Sequence, residues 1–317
     1  MTGATGFIGS HLAKSLDDLP DIELTCAVRK VQSSSFGREV VVDGLGARTD
    51  WSTFLEGQQV VIHAAARAHL MKNELSDSLL ECRKVNVDGT LNLAQQAASA
   101  GVRRFVFISS IGVNGQNSSH PFTELNAPNP VDALSKLKHE AEVGLWKVQE
   151  DTGMELVVIR PALVYGPGAP GNFGALVNWV AKGFPLPLGA VHNLRSFIAL
   201  DNLIDLITTC IDHPAAADQV FLASDGNDLS TTDLLNGVAE AMGKHARLIP
   251  IPTSLLMLGA RAIGKEAMAQ RLLGSLQLDI SKARDVLGWE PPVSVKQGLD
   301  LTVSDRLSSA QHIGKTA

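Results

Sequence analysis

Short Val- and Ile-rich runs alternate with longer stretches of helical period through the first half of the chain. The runs predict strands over residues 22–28, 39–42, 60–64, 104–109 and 155–160, apolar on both faces as in strands covered by helices on either side. Between them the periodicity predicts helices over 7–16, 77–100 and 133–152. The last carries Lys136, Lys138, His139, Glu140 and Glu142, so one of its faces meets solvent. This β-α-β rhythm predicts an α/β fold, a doubly wound parallel sheet. From Gly166 the rhythm turns irregular, through Gly-Pro-Gly-Ala-Pro-Gly and mixed short elements, with helices expected over 203–212, 231–242 and 253–263 and a Trp-Glu-Pro-Pro turn at 289–292. That shift marks a second, smaller region built for a ligand.

Composition narrows the class. The 317 residues are 45% apolar and 19% charged, enough to bury a large core, and the length fits about two structural units. The net charge is −6 with no dense cluster of Lys and Arg, so neither a nucleic acid nor an anionic membrane is expected as a partner. Cys26, Cys82 and Cys210 lie far apart with no Cys-x-x-Cys and no nearby His pair, the pattern of buried small hydrophobes in a reducing compartment. No metal-ligand cluster is evident. Neither a signal peptide nor an apolar run of about 18 residues is present, so a soluble cytoplasmic protein is expected. Tyr165 is the single tyrosine.

The first chemical motif is Thr2-Gly3-Ala4-Thr5-Gly6-Phe7-Ile8-Gly9 at the head of the first predicted helix. Glycines so spaced permit a tight turn, close backbone approach to a pyrophosphate and close helix–strand packing, while the helix N-terminus offers free N–H groups to the anion. The fingerprint needs a strand before its first glycine, and only Met1 and Thr2 precede it. A natural start about five residues upstream is therefore expected, since a central strand left out would orphan its neighbours' ladder groups. The strand ending Val28-Arg29-Lys30 shows no carboxylate for a ribose 2′-OH, and its positive charge equally suits a 2′-phosphate. Asp43, after the next strand, is placed to reach the adenine.

Together the chain's motifs resemble the extended short-chain dehydrogenase/reductase family, in its nucleotide-sugar epimerase/dehydratase branch. They are the glycine loop at 2–9, Val-Ile-His-Ala-Ala-Ala at 61–66, Asn-Val-Asp-Gly-Thr at 86–90, Phe-Ile-Ser-Ser-Ile-Gly-Val-Asn-Gly at 107–115, Ser135-Lys136, Arg-Pro-Ala-Leu-Val-Tyr-Gly-Pro at 160–167 and Arg-Ser-Phe-Ile-Ala-Leu-Asp at 195–201. The runs Gly171-Asn172-Phe173, Pro187-Leu-Gly-Ala190 and Gly274-Ser-Leu-Gln277 look like bacterial UDP-sugar 4-epimerases and 4-ketoreductases of surface-polysaccharide synthesis.

The resemblance implies a Rossmann-type domain over 1–165, with 195–222 returning to it, and a nucleotide-sugar region over 166–194 and 223–317. It implies NAD, with NADP possible, held by Gly3, Thr5, Gly6, Phe7, Ile8, Gly9, Arg29, Asp43, Ala64, Ala65, Ala66, Lys136, Pro161 and Val164. A UDP-sugar would be held by Ser110, Asn172, Arg195 and Arg271, Arg forks suiting a diphosphate. His63 is expected to be a satisfied core residue, Asn86 to tie the central strands, and Asp201 to cap the helix after it. Sugar specificity is expected to depend on the volume around Val113, Leu163 and Val191. A homodimer through the helices near 77–100 and 133–152 is implied as well.

The catalytic set of the family is a Ser/Thr, a Tyr, and a Lys four residues after the Tyr. The Tyr is acid/base on the sugar hydroxyl, and the Lys holds the cofactor ribose and lowers the Tyr pKa. Ser110 and Lys136 match the first and last. The Tyr is absent: Asp132 stands four residues before Lys136, and its carboxyl titrates about six units below a phenol. The family pattern Pro-x-Asp-x-Tyr-Gly-x-Ser-Lys fits around Pro130-Val-Asp-Ala-Leu-Ser-Lys136 if Tyr-Gly is excised between Ala133 and Leu134. Tyr165 is expected in the pocket wall. The activity implied is 4-epimerisation through a 4-keto sugar; the alternatives are a 4-ketoreductase and a binding protein without turnover.

Overall fold

The computed structural model describes residues 1–31, 36–67 and 75–313. Helix α1 (Phe7–Asp17) follows on two residues that sit in the middle of a parallel sheet. Thr2 bridges Ala27 on one side and His63 on the other. Its N–H donates to the Ile62 carbonyl at 2.9 Å, the Ala27 N–H donates to the Met1 carbonyl at 2.9 Å, and the Met1 amino group donates to the Thr25 carbonyl. Met1 and Thr2 thus take the C-terminal end of the central strand's place, and the ladder groups they reach are paired.

On one side of them lie β1 (Thr25–Val28) and β2 (Arg38–Val41). The other side holds β3 (Val60–His63), β4 (Arg104–Ile108), β5 (Glu155–Pro161) and β8 (Gln219–Ala223), in that order and all parallel. Short α2 (Ser52–Leu55) precedes β3. Between β3 and β4 run α3 (Leu75–Arg83) and α4 (Thr90–Ser99), joined by a π-helical segment, Lys84–Gly89, where one regular helix is expected from the periodicity. Helix α5 (Ala133–Thr152) leads into β5. A separate parallel pair, β6 (Leu163–Tyr165) and β7 (Phe197–Ala199), flanks α6 (Gly171–Ala181), and α7 (Leu200–Asp212) precedes β8. The chain ends with α8 (Thr231–Ala241), α9 (Thr253–Ala262), α10 (Glu266–Leu273), α11 (Ser281–Leu287) and α12 (Val295–Ile313).

Alternate strand residues explain why the runs are apolar throughout. Val106, Ile108, Val157 and Ile159 pack with α1 and α7 on one face; Phe105, Phe107, Leu156 and Val158 pack with α4 and α5 on the other. A third core, away from the sheet, joins α6, α8 and α12 through Phe173, Val177, Leu235, Val238 and Leu299. Among the described residues no helix is long and apolar enough to cross a membrane.

The β8 run Gln219–Ala223 lies inside the stretch read as irregular, because one isolated apolar run without a preceding turn signal does not separate a strand from loop. The helix expected to start under an Asp201 cap begins at Leu200 instead. Asp201 lies in its first turn, and Asp225 accepts from the Ala199 N–H and the Asn202 amide at 2.8 and 2.7 Å.

Candidate functional site

The site begins where the strands end. Gly3 has φ +80°, and a Cβ there would lie 2.7 Å from the Ala65 nitrogen. At Gly9, in the first turn of α1, a Cβ would come within 1.9 Å of the Gly3 carbonyl oxygen. The Gly6 N–H closes the turn onto Gly3 O at 2.9 Å, and Gly6 stands exposed at the N-cap with no side chain capping the helix. First-turn N–H groups, among them those of Phe7 and Ile8, have no partner carbonyl within a helix. Backbone packed this tightly, with exposed Thr5 and Gly6 at its lip, forms an anion cradle that a Cβ at Gly3 or Gly9 would fill. The residues present therefore fit a dinucleotide pyrophosphate. Arg29, just after β1, and Asp43, two residues beyond β2, are exposed.

Ala64 and Ala65 are half-buried and Ala66 exposed on the segment leaving β3. Asn86, expected to tie strands together, instead clamps that segment: its Oδ1 accepts from the Arg67 N–H at 2.8 Å and its Nδ2 donates to the Arg67 carbonyl at 3.0 Å. His63 is buried between the Thr2 and Thr90 hydroxyls, at 2.7 Å from Nδ1 and 2.9 Å from Nε2. Burial, with help from the Lys138 charge, lowers its pKa to about 3, so it stays neutral. It is a core histidine with both nitrogens paired.

The end of β4 and the start of α5 hold the reactive groups. Ser110 is half-buried, and its Oγ accepts from the Gly112 N–H at 3.1 Å. Lys136, matched by motif to the family lysine, is exposed on the outer face of α5. Lys138 turns inward instead: its Nζ donates to the Ile108 carbonyl at 2.6 Å and lies 4.4 Å from the Phe107 ring centroid. The side chain keeps some exposure along its stem, but the ammonium is enclosed, and burial lowers its pKa to about 8 against the pull of Glu142. Glu142 and Arg160 form a buried ion pair through both carboxylate oxygens, at 3.1 and 2.5 Å. The Ser109 hydroxyl donates to the same carboxylate, and Arg160 also donates to Asn114 Oδ1 at 2.9 Å. This network pins α5 across the ends of β4 and β5.

Two residues along a helix turn a side chain by about 200°, so Lys136 and Lys138 cannot share a face. With Lys138 as the inward lysine, the position four before it is Leu134, half-buried against Leu137 and Val87. Pro130-Val-Asp-Ala-Leu134 then follows Pro-x-Asp-x-Tyr without a gap. In that register Leu134 takes the place of the tyrosine while Ser135 and Leu137 miss the Gly and Ser of the pattern, whereas the excision expected between Ala133 and Leu134 keeps Leu134-Ser135-Lys136 in step with it. Pro161 is buried at the end of β5, and Val164 is half-buried in β6.

Asp132 caps α5, accepting from the Ser135 N–H at 3.0 Å and from Gln116 Nε2 at 2.9 Å. Partial burial raises its pKa, but these bonds outweigh it and hold the carboxyl below its ordinary range, so it is no proton donor near neutrality. Arg271 approaches it at 3.9 Å. Arg195, held by the Gly274 carbonyl at 2.9 Å, has its pKa lowered by burial and then by the Arg271 charge. Two guanidinium groups facing one another favour an anion between them. A cavity of about 550 Å³ opens beside them, lined by Asn117 and Ser118 from the loop after β4, by Met257 from α9 and by Gln270, Gly274 and Ser275. Asn172 lies on α6, and its side chain is outside the described residues.

Tyr165 is not in a pocket wall. It is buried against Phe173, its hydroxyl donates to Asp225 at 2.8 Å, and burial drives its pKa up. Val113 and Val191 are likewise fully buried and line no part of that cavity. Sequence reasoning missed Lys138, Glu142 and Gln116. Glu142 four residues after Lys138 was the available signal, since both then face inward on one helix.

A parallel sheet with a Cβ-free glycine cradle at its C-terminal edge defines a dinucleotide-binding scaffold. The chain belongs to the NAD dependent epimerase/dehydratase family, whose model matches residues 1–223. It is 43% identical over 305 residues to a UDP-glucose 4-epimerase of Vibrio cholerae, covering 95% of this chain and 93% of that one. Its fold is that of a UDP-glucose 4-epimerase from Thermotoga maritima solved with UDP-glucose (TM-score 0.76, 23% identity, 98% of both chains). It also matches a UDP-glucuronic acid 4-epimerase from Bacillus cereus in complex with NAD (TM-score 0.79, 22% identity, 97% of both chains).

Proposed function

We propose that this chain is an NAD-dependent UDP-sugar 4-epimerase working through a bound 4-keto sugar. The observation that carries the reading is the Cβ-free pyrophosphate cradle at the C-terminal edge of the sheet. The relative of 43% identity supports it. Gly3, Thr5, Gly6, Phe7, Ile8 and Gly9 would hold the NAD pyrophosphate. Ala64, Ala65 and Ala66 would line its path, Arg29 and Asp43 would meet the adenosine end, and Pro161 and Val164 would wall the nicotinamide. The nicotinamide supplies reversible hydride transfer at the sugar C4.

Ser110 would orient the C4 oxygen. Lys138 would have to leave the Ile108 carbonyl and the Phe107 ring to reach the nicotinamide ribose; released, as the amine, it would take the C4 hydroxyl proton and later return it. Leu134, one helical turn before it, offers no proton at all. Arg195 and Arg271 would grip the diphosphate, with 166–194 and 223–317 forming the sugar region. We place the protein in the cytoplasm as a homodimer assembled through α3, α4 and α5.

Incubation with UDP-glucose and NAD tests the reading. Expected is the C4 epimer without net NADH, with the rate lost in Lys138→Met. Stoichiometric NADH consumption on a 4-keto sugar would instead identify a reductase. Leu134 itself favours a second reading, a protein that binds both ligands without turnover. Binding of NAD and UDP-glucose with no epimer formed would establish it.

A further inference from the structure

The hairpin of α9 and α10, with the segment leading into it, is where the chain's apolar residues find no core. Helix α9 contains no buried residue. Leu255, Leu258 and Ile263 are 58, 63 and 68% exposed, and Met268 on α10 is 56% exposed. Further exposed apolar residues precede the hairpin. Leu186 and Ile249 are joined backbone to backbone at 2.8 Å, and Ile249 and nearby Phe184 are 48 and 54% exposed. Exposed large apolar side chains gathered on one hairpin mark an interaction site.

The same stretch inverts the chain's charge. Residues 244–273 carry Lys244, Arg247, Arg261, Lys265 and Arg271 against the single carboxylate of Glu266, within a chain of net charge −6. Glu266 is itself engaged by Arg261 at 2.9 Å. No dense basic run exists, which is why linear reading pointed away from an anionic surface. The excess arises because only one acidic residue falls among thirty positions, not because cations crowd together.

We propose that the α9–α10 hairpin docks on an anionic lipid bilayer surface. Leu255, Leu258, Ile263 and Met268 enter the headgroup boundary while Arg247, Arg261 and Lys265 meet lipid phosphates. Apolar side chains interleaved with cations are the composition of helices that lie in a membrane interface. Ten residues of α9 span about 15 Å, too short to cross the roughly 30 Å hydrocarbon core, so the helix lies on the surface. A second copy of the chain fits the patch poorly, since a two-fold contact would press two positively charged stretches together. Thr253, Ser254 and Met257 of α9 line the cavity beside the arginine pair, so docking would turn that cavity toward the bilayer.

Flotation of the full chain with vesicles tests the proposal without reference to turnover. Expected is co-flotation with phosphatidylcholine vesicles containing phosphatidylglycerol and not with phosphatidylcholine alone, weakened by salt. Arg261→Glu with Lys265→Glu, and separately Leu258→Glu with Ile263→Glu, should each lower binding about tenfold or more. These residues are exposed, and unchanged thermal melting verifies that each variant folds. Equal binding to both vesicle types, failure of the wild type to float, or full retention by either folded variant overturns the proposal. So does a wild-type dimer that dissociates on substitution of Leu258 and Ile263.

Discussion

Replacing Leu134 with tyrosine would add the group that the site lacks. Leu134 sits in the first turn of α5, half-buried and one helical turn before Lys138, on the same face. Side chains one turn apart leave the helix about 6 Å from one another, and a phenol and an ammonium brought to that separation in an effective dielectric of 20 favour the phenolate by about 3 kcal/mol. That lowers a tyrosine of pKa near 10 by about two units, to about 8. A positioned acid/base of matched pKa contributes roughly 10²- to 10⁴-fold. Leu134→Tyr should therefore raise kcat for UDP-glucose epimerisation by at least about 100-fold, leaving the NAD dissociation constant within about threefold. Stopped samples resolved by anion-exchange chromatography measure the rate, and fluorescence titration measures NAD. If Leu134→Tyr is no faster than the wild type while binding both ligands, Leu134 does not occupy the acid/base position and the gapless register is wrong. The double variant Leu134→Tyr, Lys138→Met separates the roles, because it keeps the phenol and loses the charge that tunes it.

Four further outcomes follow from the same geometry. Glu142→Ala strands the buried Arg160 guanidinium and should cost about 3–5 kcal/mol in urea unfolding, whereas a loss below about 1 kcal/mol would mean the pair is not buried in solution. Gly9→Ala pushes a Cβ into the Gly3 carbonyl and should weaken NAD binding about 10- to 100-fold by calorimetry, with the chain still folded. Arg271→Ala should raise KM for UDP-glucose about 10- to 100-fold with little change in NAD affinity, as expected of a charge-assisted contact to the diphosphate. Lys138 has a folded pKa lowered to about 8, below its unfolded value of about 10.4. Between these values the unfolded chain binds more protons, so stability rises with pH there. Urea midpoints should show the wild type gaining about 2 kcal/mol on Lys138→Met between pH 8 and 9.5; a flat difference would show that the ammonium is solvated.

The sheet was legible because its signal is local and redundant. The runs carrying Val106, Val157 and their neighbours are apolar on both faces, and the glycine spacing at 3, 6 and 9 admits few other backbones. The substrate half was less so. The strand at Gln219–Ala223, the pairing of Arg195 with Gly274, and the cavity between the loop at 117–118 and α9 all depend on contacts between distant segments, which periodicity does not report. The lysine shows the limit most sharply. Ser135-Lys136 satisfies a motif and Leu137-Lys138 does not, yet the motif requires only that an ammonium reach the end of β4. Which residue does so is a question of helix phase, and the phase of α5 is set elsewhere. Glu142 must face Arg160 and Ser109, Ala141 and Leu145 must face the sheet, and Asp132 must cap the first turn. Once those are satisfied, Lys138 points inward and Lys136 points to water. A buried ion pair one turn along the helix is worth several kcal/mol when broken, more than the preference of one lysine for one environment. The network therefore chooses which lysine points inward, and Leu134 is the residue one helical turn before it.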